Sequence, residues 1–96
     1  MKYHIEISKE AKEFLYFLDE KSRQICKKNL SKLEDNPYPG KGSGDKEKIM
    51  VAGKERYRLH VGRTFTAFYV IFETKKLVRV VELLPIDKAH KKYGYK

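Results

Sequence analysis

The sequence is poor in cysteine and has no long apolar run, and each of these shortages excludes a class of protein. Its one cysteine, Cys26, excludes an internal disulfide and a zinc site built from several thiolates, and it fits a reducing compartment. No apolar run reaches the roughly 20 residues that a membrane-spanning helix needs, and the N-terminus alternates instead of forming the apolar centre of a signal peptide. We therefore expect a soluble, cytoplasmic protein with no membrane partner.

Motifs for metals and nucleotides are also missing. The 3 histidines stand far apart, at positions 4, 60 and 90, without closely spaced carboxylates, so no metal-ligand pattern is present. The glycine-rich stretch 40–46 lacks the spacing of a phosphate-binding loop and does not open a helix. We expect no metal and no cofactor.

Positive charge is what the sequence has in excess. It carries 22 lysines and arginines against 13 aspartates and glutamates, which gives a net charge of +9 and an isoelectric point near 9.6. Such an excess favours a polyanion, through phosphate neutralisation and counterion release, or an acidic protein partner. The alternative is that the charge only keeps the protein soluble. A chain of 96 residues forms one domain, 1–96, with no room for a second.

The first half of the chain predicts a strand followed by a helical hairpin. Residues 1–7 alternate between apolar and polar, as in a half-buried strand. Ser8 is placed to cap an amphipathic helix that ends near Asp19, and after a polar turn at 19–22 a second apolar stripe continues towards Pro37. Proline ends that helix because it disfavours helical geometry at the preceding residue. Residues 38–47 then predict a mobile basic loop.

The second half predicts an antiparallel meander of four strands from Lys48 to Pro85, with turns at 52–54, 62–64 and 74–76. In the second strand, side chains alternate across the sheet, so one face is apolar and the other basic. The apolar positions are Tyr57, Leu59 and Val61, and the basic ones are Arg56, Arg58 and His60. After the meander, Asp87 is placed to cap a last helical turn. We predict an α+β fold in which an N-terminal strand precedes an antiparallel helical hairpin, which packs on one face of a mostly antiparallel sheet and leaves a basic front and a short basic C-terminal tail.

This order of elements resembles the RelE/ParE superfamily of small bacterial and archaeal toxins. The resemblance covers nearly the whole chain and rests on stretches 33–37 (LEDNP), 57–62 (YRLHVG) and 67–71 (AFYVI) and on the basic, tyrosine-containing tail. It implies a RelE-like fold and the toxin of a toxin-antitoxin pair, neutralised by a cognate antitoxin. RelE-like members cut mRNA in the ribosomal A site, and ParE-like members inhibit DNA gyrase without catalysis. A third alternative is a degenerate toxin that only binds its antitoxin.

The chemistry of RNA cleavage selects the candidate residues. Attack of a 2′-hydroxyl on the adjacent phosphate needs a base, an acid and cations, and imidazole and guanidinium groups meet these needs near neutral pH. Together with the resemblance, this places catalysis on Arg58, His60, Arg63, His90 and Tyr93. RNA contacts are expected from the neighbouring cations Lys54, Arg56, Lys88, Lys91 and Lys92. The alternative for the strand cations is a solvated sheet face with no ligand.

One position departs from the RelE-like pattern. The strand after the first long β-strand commonly begins Tyr-Arg in these toxins, and that arginine contacts the scissile phosphate, whereas this sequence has Phe65 and Thr66. The nearest arginine is Arg63, in the preceding turn. Either Arg63 substitutes from the loop or the activity is altered. The missing pair favours the gyrase alternative, while His60 beside Arg58 favours the nuclease.

Overall fold

The computed structural model describes residues 2–40 and 46–93, with side chains through Ala89. Within these residues the chain forms a five-stranded sheet and three α-helices, which confirms the predicted α+β class. The strands are β1 (His4–Ile7), β2 (Lys46–Val51), β3 (Lys54–Val61), β4 (Phe65–Phe72) and β5 (Leu77–Pro85). The helices are α1 (Lys9–Phe17), α2 (Glu20–Ser31) and α3 (Ile86–Tyr93), and short 3₁₀ turns cover Lys32–Glu34 and Glu73–Lys75.

The sheet has the order β1-β5-β4-β3-β2. Strands β2 to β5 form the predicted antiparallel meander, and β1 joins its far edge by parallel pairing, with Ile5 opposite Val78 and Ile7 opposite Val80. Strand β2 begins at Lys46, two residues earlier than expected, so Glu47 belongs to the sheet and its assignment to a loop is wrong. The centre of that predicted loop, 41–45, lies outside the described residues.

Two capping side chains set where the hairpin helices begin. The Ser8 hydroxyl accepts a hydrogen bond from the Ala11 amide at 3.1 Å, which confirms the predicted cap of α1. Asp19 caps α2 by accepting from the Ser22 amide at 3.4 Å. Helix α2 therefore starts at once after Asp19, and the turn between the helices is shorter than the predicted 19–22.

The core lies between the helical hairpin and one face of the sheet, as the apolar stripes predicted. Fully buried members come from α1, α2, the 3₁₀ turn after α2 and three central strands; among them are Ala11, Cys26, Leu33, Leu59, Val61, Ala67, Tyr69, Val78 and Val80. Burial raises the pKa of the Cys26 thiol to about 11, so it stays protonated and packs as a small apolar group. Cys26 is therefore a packing residue of the core.

Glu73 gathers three side chains at the turn between β4 and β5. The hydroxyls of Tyr3 and Tyr38 donate to its Oε1 at 2.7 and 2.6 Å, and the ammonium of Lys76 pairs with its Oε2. These bonds, that of Lys76 first, lower the pKa of Glu73 from 4.5 to about 2. One carboxylate thus ties the N-terminal segment and the chain after α2 to the sheet.

We expect this carboxylate to give the fold a distinct acid sensitivity. Because its folded-state pKa lies below its ordinary value, its contribution to stability is complete above about pH 4.5 and is lost as the pH falls towards 2. Glu73→Gln should therefore be less stable than the natural protein at neutral pH, and the two should converge near pH 2. Urea unfolding followed at several pH values measures this. A constant difference between the two proteins across that range would contradict the prediction.

Candidate nucleic-acid interface

The predicted site residues of the meander lie on the sheet face that points away from α1 and α2, here called the distal face. Leu59 and Val61 of β3 enter the core under the hairpin, so the alternating Arg58 and His60 point to the other side. Strand register sets their neighbours, with Arg58 opposite Phe68 and His60 opposite Thr66. Other distal positions include Glu47 and Ile49 on the edge strand β2, and Arg56, Val70, Arg79, Glu82 and Leu84 on the central strands.

Arg58, expected at the centre of an exposed basic front, is buried. The residue is 5% exposed, and its Nη2 donates to the Glu47 carboxylate, which stands opposite it on β2. Burial lowers the pKa of the guanidinium, although an arginine stays charged at any ordinary pH. The prediction of an open cationic surface is therefore wrong at its centre.

Helix α3 covers part of the distal face beside Arg58. Phe68 and Thr66 are each 1% exposed although they face away from the hairpin, and Ala89 of α3 is buried outside the core under the hairpin. Since α3 contacts β4 and β5, this burial indicates that it packs over the distal face. The predicted tail is thus a two-turn helix. It begins at Ile86, so the proposed capping role of Asp87 is wrong, because that residue already lies in the first turn.

Three of the predicted residues meet at one end of the sheet. His60 is half-buried near the end of β3, and Arg63 is exposed in the turn that follows. The Ile86 amide donates to the Thr64 carbonyl oxygen at 2.9 Å and so joins the start of α3 to that turn. Lys88 is exposed in the first turn of α3. The structure therefore places His60, Arg63 and Lys88 at the same end of the sheet.

Of the other predicted residues, Lys54 and Arg56 do not lie at that end of the sheet. Lys54 begins β3, six residues before His60, so their Cα atoms are roughly 20 Å apart. Arg56 is half-buried and donates to the Glu55 carbonyl oxygen at 3.0 Å. The side chains of His90, Lys91, Lys92 and Tyr93 lie outside the described residues, although their backbone belongs to α3.

Comparison with solved structures identifies this arrangement. The toxin chain of the RelE-RelB complex from Pyrococcus horikoshii matches with a TM-score of 0.71 at 22% identity, over 88% of this chain and 96% of that one. The RelBE2 toxin-antitoxin complex of Mycobacterium tuberculosis matches with a TM-score of 0.72 at 13% identity, over 86% and 96%. The isolated RelE toxin of E. coli gives 0.59 at 18% identity, over 94% and 97%. The chain has the fold of the RelE toxins. No family model matches the sequence, and a search of curated proteins gives no match.

The sequence interpretation missed two residues of the distal face. Glu47 is the ion-pair partner of Arg58, and Thr66 stands opposite His60. The signal for Glu47 in the sequence was Gly53, a residue typical of tight hairpin turns. In the structure Ala52 and Gly53 have φ values of 52° and 78°, which fit a two-residue turn. Counting outwards from that turn pairs residue 51 with 54, and hence Glu47 with Arg58. No comparable signal marks Thr66.

Polar atoms at the centre of the distal face are left without partners. Arg58 Nε and Thr66 Oγ1 are buried and make no hydrogen bond within the part of the chain that the structure describes.

Across residues 2–40 and 46–93, no group of three or more histidine, cysteine, aspartate or glutamate side chains is placed to hold a metal ion. Among the same residues, no helix is long and apolar enough to cross a membrane.

Proposed function

We propose that the chain is the toxin of a toxin-antitoxin pair and cuts mRNA in the ribosomal A site. The observation that carries this proposal is the position of Arg58 at the centre of the distal face of a RelE-like fold, with an Nε donor that has no partner among the described residues. A structural role alone leaves that buried donor unexplained, since most buried donors in proteins are paired. A phosphate group would pair it.

The arrangement suits metal-independent cleavage by the 2′-hydroxyl. His60 lies two residues along β3 from Arg58 on the same face, so their Cα atoms are about 7 Å apart, close enough to act on one nucleotide. In this proposal His60 accepts the proton of the attacking 2′-hydroxyl, while Arg58 and Arg63 stabilise the charge that builds up on the phosphate. As the 2′-oxygen bonds to phosphorus, the bond from phosphorus to the 5′-oxygen breaks, and His90 or Tyr93 of α3 donates a proton to that leaving oxygen. Lys54, Arg56, Lys88, Lys91 and Lys92 bind the RNA backbone.

Primer extension on a short mRNA held on programmed ribosomes tests the proposal. We expect the natural protein to cut only in the A-site codon and not to cut naked RNA. His60→Ala should reduce the rate by about 10²- to 10⁴-fold, because one general acid or base is lost. His4→Ala is the matched control, since His4 is an exposed histidine on β1 of the same sheet, and it should cut normally. Equal cutting by both variants would contradict the assigned role of His60.

A second candidate is ParE-like inhibition of DNA gyrase, which one observation favours. Thr66, at the place where RelE-like toxins commonly carry a phosphate-binding arginine, is buried and uncharged. This candidate needs no catalytic group. Inhibition of gyrase supercoiling by the natural protein and by His60→Ala alike, with no cutting of mRNA, would support it over the nuclease.

We also propose an antitoxin as the protein partner, in the cytoplasm where the ribosomes are. The structures from Pyrococcus horikoshii and Mycobacterium tuberculosis are toxin-antitoxin complexes, and a net charge of +9 suits an acidic partner. Tyr16 and Phe17 of α1 are 76% and 92% exposed and offer apolar contact area beside the lysines of the hairpin. Co-expression with the protein of an adjacent reading frame tests this, and a failure to co-purify would count against it.

A further inference from the structure

The ion pair with Glu47 leaves one donor of the Arg58 guanidinium without a partner among the described residues. The group has five N–H donors in a planar fork, and a carboxylate that lies along one edge of that fork accepts from two of them at once. Here Glu47 accepts from Nη2, while the adjacent Nε has no partner within the described residues. Glu47 therefore makes a one-donor contact, and the Nε–H group remains able to donate to another oxygen.

Thr66 adds a second unused group beside the first. In the β3–β4 register Arg58 stands opposite Phe68 and His60 opposite Thr66, so Thr66 is the diagonal neighbour of Arg58 on the same face. Its hydroxyl is buried and also lacks a partner among the described residues. A buried hydroxyl without a hydrogen bond lowers stability, so an oxyanion that accepts a hydrogen bond from Thr66 would recover that loss.

Glu47 itself is exposed enough to exchange. Its side chain is 42% accessible and stands on β2, the edge strand of the sheet, whereas the Arg58 side chain is 6% accessible. The carboxylate can therefore be solvated when it leaves Arg58, but Arg58 cannot readily be solvated without a replacement anion. This asymmetry favours exchange of one oxyanion for another over simple opening of the pair.

We propose that Glu47 is an internal competitor for a phosphate group: its carboxylate occupies the phosphate position on Arg58 in the unbound protein, and an entering phosphate displaces it. The bound phosphate would accept hydrogen bonds from Arg58 Nε and Nη2 and from the Thr66 hydroxyl. No covalent bond changes in this step. That the phosphate belongs to an RNA backbone rests on the proposed function, whereas the exchange itself does not.

The test follows the Nε–Hε signal of Arg58 by NMR while inorganic phosphate is added to the full chain. In Glu47→Gln, which removes the competing charge, we expect phosphate to bind about tenfold more tightly than in the natural protein. Glu55→Gln is the matched control, because Glu55 is an exposed glutamate of the neighbouring strand, paired with Lys48, and the change in net charge is the same. It should alter the dissociation constant by less than about twofold. Equal tightening in both variants would overturn the proposal.

Two further measurements keep the proposal testable if Glu47→Gln does not fold. In the natural protein, the side-chain carboxyl signal of Glu47 should move with the Arg58 Nε signal and give the same dissociation constant. Thr66→Val should leave stability unchanged or raised and weaken phosphate binding several-fold, whereas a purely structural threonine would show no loss of binding. A phosphate titration that leaves the Arg58 Nε signal unmoved would refute the exchange.

A second ligand separates the source of the phosphate from the exchange. A short single-stranded 2′-O-methyl RNA, which cannot be cleaved by this chemistry, should shift the same two signals at lower concentration than inorganic phosphate. If only inorganic phosphate shifts them, the exchange stands and its assignment to RNA is overturned. If the exchange is observed but ribosomal mRNA is not cut, the proposed function alone fails.

Discussion

Replacing Tyr69 with alanine is expected to lower the free energy of unfolding by about 3 to 5 kcal/mol, the range for truncating a large buried aromatic side chain. Tyr69 is 0% exposed at the centre of the sheet, and its ring stacks on that of Tyr57 with centroids 5.5 Å apart. Its hydroxyl donates to the Pro37 carbonyl oxygen at 2.6 Å and so holds the chain after α2 against the sheet. Since small domains are stable by only about 5 to 15 kcal/mol, the variant should be marginal.

Urea unfolding followed by circular dichroism measures this loss. One conservative variant separates the contribution of the hydroxyl from that of the ring, and a second serves as its control. Tyr69→Phe keeps the ring and removes the hydroxyl, leaving the Pro37 carbonyl without its donor, so it should cost about 1 kcal/mol. Tyr16→Phe removes the same hydroxyl from a tyrosine that is 76% exposed and should change stability by less than about 0.5 kcal/mol. A loss below about 1 kcal/mol in Tyr69→Ala would mean that this side chain is not packed as described.

The sequence predicted the meander and the hairpin because their signals are local. Alternation along β3 and the turn residues at 52–54 and 62–64 depend only on neighbours in the chain, as does the cap at Ser8. The parallel pairing of β1 with β5 was not predicted. It joins residues more than 70 positions apart, and nothing in the alternation of 1–7 specifies which strand lies beside it.

The candidate site was predicted less well than the fold, for a physical reason. Alternation shows which side chains share a face, and it placed Arg58 and His60 together correctly. It does not show what covers that face: here α3 packs over β4 and β5, and Arg58 is buried and paired with Glu47. Glu47 was hidden by the glycines before it, which made the segment look like a loop. Its pairing with Arg58 depends on a two-residue turn at Ala52 and Gly53, whereas the sequence predicted a turn of three residues at 52–54.

Arg58→Ala is expected to reduce A-site cleavage by about 10²- to 10³-fold, the range for removing one preorganised group that stabilises transition-state charge. Burial strengthens this expectation, because a guanidinium held in a low-dielectric site interacts more strongly with a developing phosphate charge than one in water. Loss of the contact with Glu47 should also lower the free energy of unfolding by about 1 to 3 kcal/mol, so the folded fraction at the assay temperature must be measured for each variant.

Two variants separate the geometry of Arg58 from its charge and from general destabilisation. Arg58→Lys keeps a cation but offers no planar pair of donors, so cleavage should still fall substantially while the fold is better retained. Arg79→Ala is the matched control: Arg79 also pairs with a glutamate, its Nε lying 2.5 Å from Glu6 Oε1, but its side chain is 45% exposed at the β1–β5 edge. It should cut at nearly the natural rate. Natural activity in Arg58→Ala, at an equal concentration of folded protein, would remove Arg58 from the site. Equal losses in Arg58→Ala and Arg79→Ala would instead mean that the total positive charge, and not this guanidinium, sets the rate.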